Sequence, residues 1–323
     1  MMRKMRRVLS GFLVLVFLCA WFSGCGGWIV EGYPVSVYTR SDACGAAETW
    51  ANYLGDYHQE DLGGTAVYGD PGLAEAVKKD ALGIGYNNLN YAYDMDTGKP
   101  LAGLSVIPID LNENGRIDAD EDFYASKAEL VQAIATEHYP SPPARDLYLV
   151  TRDEFTGIAR EFVWWVLTDG QQYAGEVGYV GLAREKIEGE LSKVGEMQPG
   201  IEVEGVITIS GAWALYPMVV RWAEEFQKLH PRVNFDISAG GAGKGMVDAL
   251  GGMVDIGMVS REIYPAEIEK GAFKVSVTKD AVVPTVNENN PVLEKLVLEG
   301  MKRQTFTDVW ITGKITDWED VVS

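Results

Sequence analysis

Three times along this chain a run of β-type residues breaks on a turn of small side chains and enters a helix. The junctions read "VSVYT-RSDACGA-AETW", "VITIS-GAWAL-PMVV" and "VNFDI-SAGGAGK-GMVDAL". Such repeats call for crossover connections, which commits the chain to α/β sheets. Other segments keep the alternation. "ALGIGYNN", "LAGLSVIPID", "DLYLVTR", "VDIGMVS" and "AVVPTVN" read as strands, while "LAEAVKKD", "KAELVQAIATEHYP" and "AREKIEGELSKV" read as helices. The stretch "TGIAREFVWWVLTDGQQYAGEVGY" reads as largely helical, and "GEMQPGIEVEG", residues 195–205, as a linker.

The same junctions carry a chemical implication. The first N–H groups of a helix lack intrahelical partners and the dipole there is positive, so a turn into a helix suits an anion. Glycine and alanine let a ligand approach the backbone closely. One such turn is ordinary in an α/β protein. Three of them, one bearing Arg40, predict a single anion site. It is not a P-loop: Ser238 stands where the first glycine belongs, and Lys244 is followed by Gly245 rather than Ser or Thr.

The first residues concern export. "MMRKMRR" precedes the apolar run "VLSGFLVLVFLCAWFSGC", the pattern of a secretory leader, and "FSGC" resembles a lipobox. The expectation is a leader over 1–24, a lipid on Cys25 and a tether over 25–32, which places the protein outside the cytoplasm, held on the outer face of the membrane. About 300 residues remain, enough for two domains. Cys19 leaves with the leader, so Cys44 is the last free thiol and no intramolecular disulfide forms. The formal net charge of -19 argues against nucleic acid and anionic headgroups as partners. His58, His138 and His230 are scattered, which argues against a histidine-built zinc or catalytic cluster.

The longest stretch, "ITISGAWALYPMVVRWAEEFQKLHPRVNFDISAGGAGKGMVDALGGMVDIGMVSREI", resembles the opening half of the phosphate-binding protein of phosphate ABC transporters. "VTKDAVVPTVNENNPV" and "FTDVWITGKITDWED" continue in that family's order. Segments similar to the closing half come first: "VYTRSDACGAAETWANYL", "GDPGLAEAV", "ALGIGYNNLNYAY" and "FVWWVLTDGQQYAGEVGYVGL". The resemblance covers nearly all of 33–322. It implies a two-lobed α/β fold of the type II periplasmic-binding-protein kind, circularly permuted, with the ligand cleft between lobes. The crossings would lie near "PPARDLYLV" and "TKDAVVPTV". One lobe would combine 33–145 with 283–323, the other would run over 146–282, and 195–205 would join the family's usual ends.

Carried over by position, the resemblance makes Arg40 the anion-facing arginine and Asp42 its brace, with Gly45, Gly211, Gly241 and Gly243 retained. Hydroxyl donors are replaced. Ala212 and Trp213 stand where serine and threonine are usual, Ala242 and Cys44 replace serines, and Ala46 replaces a threonine. Ser260 stands where the family has an aspartate that accepts the proton of hydrogen phosphate. A hydroxyl can donate where a carboxylate only accepts, so that change removes a discrimination against fully ionised anions. The implied ligand is phosphate, held by backbone N–H groups, Arg40, Ser260 and Arg261. Sulfate, molybdate and tungstate are the alternatives, with a small organic anion behind them. The implied partner is an ABC permease, and a monomer is expected. An enzyme using Cys44, its thiol acidified by the anion turn, is the remaining alternative.

A second motif lies at 110–121, "DLNENGRIDADE", which satisfies the spacing of an EF-hand calcium loop. Asp110, Asn112, Asn114 and Asp118 would supply oxygens, Arg116 its carbonyl and Glu121 two oxygens, with Gly115 allowing the sharp turn. A strand precedes the loop, so the expectation is an isolated structural Ca2+ loop and not a sensor pair.

Overall fold

The computed structural model describes residues 32–195 and 203–322. The expected leader, Cys25, the tether up to residue 31 and residues 196–202 of the linker lie outside the described residues.

Among the described residues nine strands form one sheet: β1 (Ser36–Arg40), β2 (Thr65–Val67), β3 (Gly83–Asn88), β4 (Leu104–Val106), β5 (Ala144–Arg152), β6 (Gly205–Gly211), β7 (Val233–Ala239), β8 (Ile256–Val259) and β9 (Ala272–Asn287). Their order is β2-β1-β3-β9-β5-β8-β6-β7, with β4 also on β9. Parallel pairs lie at the two ends, β1 with β2 and β3, and β6 with β7 and β8. The middle is antiparallel, where β9 pairs with β3, β4 and β5. Strands at the ends are joined through helices, as the alternation required.

Two separate cores explain why this sheet serves a two-lobed molecule. One gathers Trp50, Tyr86, Tyr93, Phe306, Trp310 and Trp318 with other residues between 44 and 144 and between 281 and 321. The other gathers Phe162, Trp165, Trp222 and Phe226 with residues between 147 and 277. Helix Tyr216–Leu229 shows the local logic: Pro217 sits in its first turn, and Met218, Val219, Trp222, Ala223 and Phe226 make the buried stripe. Burying one such side chain completely contributes about 1.5–3 kcal/mol before entropy is counted.

Among the described residues, only β5 and β9 run from one core to the other. Ala144 and Ala281 belong to the first core, Leu147 and Val277 to the second. In between, Arg145 is paired with Asp280 in the register. The strand expected over "AVVPTVN" therefore starts earlier, at Ala272, because "AFKVSVTKD" is also rich in β-branched residues and spans the crossing. The long helical stretch expected near 156–179 is in pieces: Gly157–Leu167 is α-helical, Asp169–Tyr173 is a 3-10 turn and Ala174–Val177 a single turn. Thr168, at φ -109° and ψ -98°, interrupts the helix.

The ends of the described chain meet. Val35 N donates to Thr316 O at 2.9 Å and Trp318 N to Tyr33 O at 2.8 Å. Among the described residues no helix is long and apolar enough to cross a membrane.

Candidate functional site

Arg40 ends β1 with its guanidinium buried between two acidic side chains. Nε and Nη2 donate to Asp42 Oδ1 and Oδ2 at 2.8 and 2.5 Å, and Nη1 donates to Asp70 Oδ2 at 2.6 Å. Burial works against the arginine's charge, but Asp70 and Asp42 outweigh it and raise its pKa further. The fork of donors suits two carboxylates at once. Asp42 also accepts from Gly69 N at 3.1 Å, and Asp70 Oδ1 accepts from Asn88 Nδ2 at 2.7 Å.

Asp70 was not legible as a site residue, although a signal existed. Helix Gly69–Lys79 begins before "LAEAVKKD", at a fourth strand–turn–helix junction, "TAVY-GDPG-LAEAV", with the acid in its first turn.

The turn after Arg40 enters helix Gly45–Gly55. Cys44 is its N-cap, with Sγ accepting from Ala47 N at 3.3 Å, while Cys44 N donates to Gln59 Oε1 at 2.9 Å. The thiol is buried, and burial pushes its pKa up to about 12, only partly opposed by Arg40. This corrects the expectation of an acidified thiol. Desolvation of the thiolate, reinforced by Asp70 and Asp42, outweighs both the arginine and the helix terminus. Ala46, in the same first turn, is fully buried.

The turns from the two halves touch. Gly243 N donates to Ala43 O at 3.0 Å, and a Cβ on Gly243 would lie 2.7 Å from that of Ala43. Gly45 meets Ser260, whose carbonyl oxygen would be 2.0 Å from a Cβ there, so only glycine fits. Gly241 lies near Ala43 O and the Asp42 carboxylate. Gly211 O accepts from both Gly240 N and Gly241 N. Ala212 N is used within the sheet, donating to Met258 O at 2.9 Å, and Ala242 is completely buried. The Trp213 indole lies over Gly69, edge-on to Tyr68, and Tyr91 Oη donates to Trp213 O at 3.3 Å. Trp213 Nε1 is buried without a hydrogen-bond partner. Arg261 is turned to Glu267, at 2.7 and 2.9 Å, and stacks on Tyr264.

The junctions thus come together through Asp42 and Ala43 at Gly241 and Gly243, Gly45 at Ser260, and Gly69 at Trp213, while Ala46 and Ala242 are buried in separate cores. With both carboxylates ionised, the cluster of Arg40, Asp42 and Asp70 carries one negative charge, a poor host for an anion with no proton of its own. A ligand with an O–H can donate to a carboxylate while its other oxygens take N–H groups.

A cavity of about 770 Å3 lies beside the start of β5, but Arg40, Asp70 and the glycine turn do not line it. It brings five acids, Glu48, Asp56, Glu137, Asp146 and Glu262, against Arg145, Arg261 and Lys279. Arg145 is bonded through all its nitrogens, as Arg40 is, and Arg261 is held by Glu267, so the five acids leave this space without a free guanidinium to offer an anion.

In the 110–121 loop, Asp110 and Glu121 are buried. Asp110 accepts from Asn114 N and Gly115 N, and Glu121 from Leu111 N, Asn112 N and Asp118 N. Asn112 and Asn114 give their side-chain N–H groups to Asp118 Oδ2 at 3.1 and 2.7 Å, and Arg116 pairs with Asp118. Gly115 has φ +83°, and Ile117 N donates to Leu298 O at 3.0 Å. Among the described residues no three His, Cys, Asp or Glu side chains form a metal-binding group, and two of the loop's candidate side-chain ligands are asparagines.

Residues 183–323 match the PBP superfamily domain. The phosphate-binding protein PstS 2 of Streptococcus agalactiae serotype V is 25% identical over 77% of this chain and 71% of its own length. PstS of Pseudomonas aeruginosa is 30% identical over 30% of this chain and 32% of its own. The crystal structure of a phosphate ABC transporter phosphate-binding protein from Streptococcus pneumoniae aligns with a TM-score of 0.58 and 20% identity, covering 89% of this chain and 99% of the other. That likeness shows the fold. The chain has the two-lobed periplasmic-binding-protein fold, its residues 183–323 match the PBP superfamily domain, and it is similar to proteins named as phosphate-binding proteins.

Proposed function

We propose that this chain is an extracytoplasmic substrate-binding protein that captures phosphate between its lobes and presents it to an ABC permease. The relatives named as phosphate-binding proteins support the class of ligand and transporter. The observation that carries the ligand itself is the pair of carboxylates, Asp42 and Asp70, on one buried arginine. Hydrogen phosphate brings both oxyanion oxygens and an O–H to such a cluster, whereas sulfate brings no donor at neutral pH. Asp70 thereby supplies a carboxylate that only accepts, where Ser260 offers a hydroxyl that can also donate, which disfavours sulfate, molybdate and tungstate. Competitive calorimetry with phosphate, sulfate and tungstate tests this: phosphate binds and the others do not displace it.

The lobes are read as 33–145 with 283–323, and 146–282, and the two cores support that division to within two residues on β9. With Gly243 N given to Ala43 O, the turns are closed on one another, and ligand entry requires the lobes to part. Segment order and the meeting of residues 33–35 with 316–318 support circular permutation, because the family's usual connection would be short there. Cys25 is the proposed lipid anchor, tested by incorporation of labelled fatty acid into wild type and Cys25→Ser.

The 110–121 loop is proposed to hold a structural Ca2+ through Asp110, Asn112, Asn114, the Arg116 carbonyl, Asp118 and Glu121. The donor set fits: all are oxygens, and the buried Asp110 and Glu121 are met by backbone amides alone among their hydrogen bonds. The ion would neutralise these acids and hold the loop against Leu298. Terbium luminescence, reversed by calcium, tests it.

A further inference from the structure

A buried row of two arginine–aspartate pairs, joined by one amide side chain, runs from the Arg40 site to the crossing strands. Arg40 Nη1 donates to Asp70 Oδ2 at 2.6 Å, and Asp70 Oδ1 accepts from Asn88 Nδ2 at 2.7 Å. Asn88 Oδ1 accepts from Arg145 Nη2, and Arg145 Nε donates to Asp280 Oδ1 at 3.1 Å. All five side chains are buried. Arg145 and Asp280 face each other in the β5–β9 register, at the passage from one core to the other. Arg145 Nη1 also donates to Thr49 Oγ1 at 3.0 Å, on the helix whose first turn follows Arg40.

We propose that Asn88 is a positioning residue that links ligand capture at Arg40 to the hinge at Arg145 and Asp280. The inference rests on the phosphate-receptor reading and adds a residue that touches no ligand. Its chemistry follows from its neighbours. The carboxylate of Asp70 can only accept and the guanidinium of Arg145 can only donate, so the residue between them must do both. An amide side chain does this without adding charge, and its orientation is set by its two partners. Parting of the lobes flexes β5 and β9 together where they pass between the cores, at Arg145 and Asp280, and so moves Arg145 relative to Asn88. The amide then moves against Asp70, which is half of the grip on Arg40. In a buried setting each of these bonds is strong and each loss is costly, so the row shifts as a unit. By linkage, a ligand that tightens Arg40 favours one hinge setting, and the hinge setting changes ligand affinity equally.

The test is a double-mutant cycle read by phosphate calorimetry on the full chain. Asp280→Asn lies at the hinge and is not bonded to Arg40, Asp42 or Asp70 in the row. It changes phosphate Kd by about tenfold in wild type and by less than about twofold in the Asn88→Leu background. Equal effects in both backgrounds, or none in either, overturn the link. Wild type that fails to bind phosphate overturns the receptor reading instead, and the link with it. Circular dichroism checks that each variant folds. Where Asn88→Leu does not fold, Asn88→Ser takes its place, since a serine hydroxyl both donates and accepts but is too short to reach both partners.

Discussion

Arg40 and Asp70, 30 positions apart, meet at 2.6 Å with both side chains almost completely buried. Asp42 takes the other edge of the same guanidinium. Replacing Asp70 by Asn removes one negative charge and the acceptor proposed for the ligand's O–H. The expected outcome is a loss of selectivity: phosphate weakens by about tenfold or more, and sulfate becomes a measurable ligand. Calorimetry with the two anions checks this.

Arg40→Ala should do more than abolish binding. It leaves Asp42 and Asp70 buried together without their cation, and breaking a buried pair in this way costs about 3–5 kcal/mol. Urea denaturation of the variant should show a lower midpoint with an unchanged slope.

The close approach of Gly45 to Ser260 makes a steric prediction. A methyl group on Gly45 would sit 2.0 Å from the Ser260 carbonyl oxygen, so Gly45→Ala forces the two turns apart. The expected cost is about 1–3 kcal/mol of stability, together with weakened phosphate binding. Thermal unfolding with and without phosphate separates the two effects.

Lys127 supplies a pH dependence. Its ammonium is buried, donating to Val177 O at 2.7 Å and to Asn90 Oδ1, and burial lowers its pKa to about 8, partly opposed by Asp280. The unfolded chain keeps the ordinary lysine value of 10.5. Below pH 8 both states are charged and the folded state carries the full penalty. Between about 8 and 10.5 the folded state loses its proton first, so this residue's contribution to stability rises with pH. Urea midpoints should show that rise in wild type, and Lys127→Met should lack it.

Cys44 should resist thiol reagents. Its buried sulfur caps a helix, and its pKa is pushed up to about 12 by burial. Iodoacetamide at pH 7.5 is expected to leave the native chain unlabelled and to label it in urea. Rapid native labelling would revive the enzymatic reading.

Alternation and turns made the α/β class and the strand–helix order legible, while the pairing of Arg40 with Asp42 was implied by the family resemblance and not by the pattern. Periodicity could not reveal that "AFKVSVTKDAVVPTVN" is one strand serving both cores, because its pairing partners are distant in sequence. Asp70 and Asn88 stayed hidden for a related reason. Each is an ordinary residue in its own segment and acquires a role only when β1, β3 and β5 bring Arg40, Asn88 and Arg145 together. Cys44 was misread because a helix N-terminus acidifies a thiol only where water or charge outweighs burial.

Equilibrium dialysis with radiolabelled phosphate at pH 7, in the presence of a hundredfold excess of sulfate, tests the central claim most directly. The account predicts one saturable phosphate site per chain that sulfate leaves intact. Displacement by sulfate, or no phosphate retained at all, would contradict it.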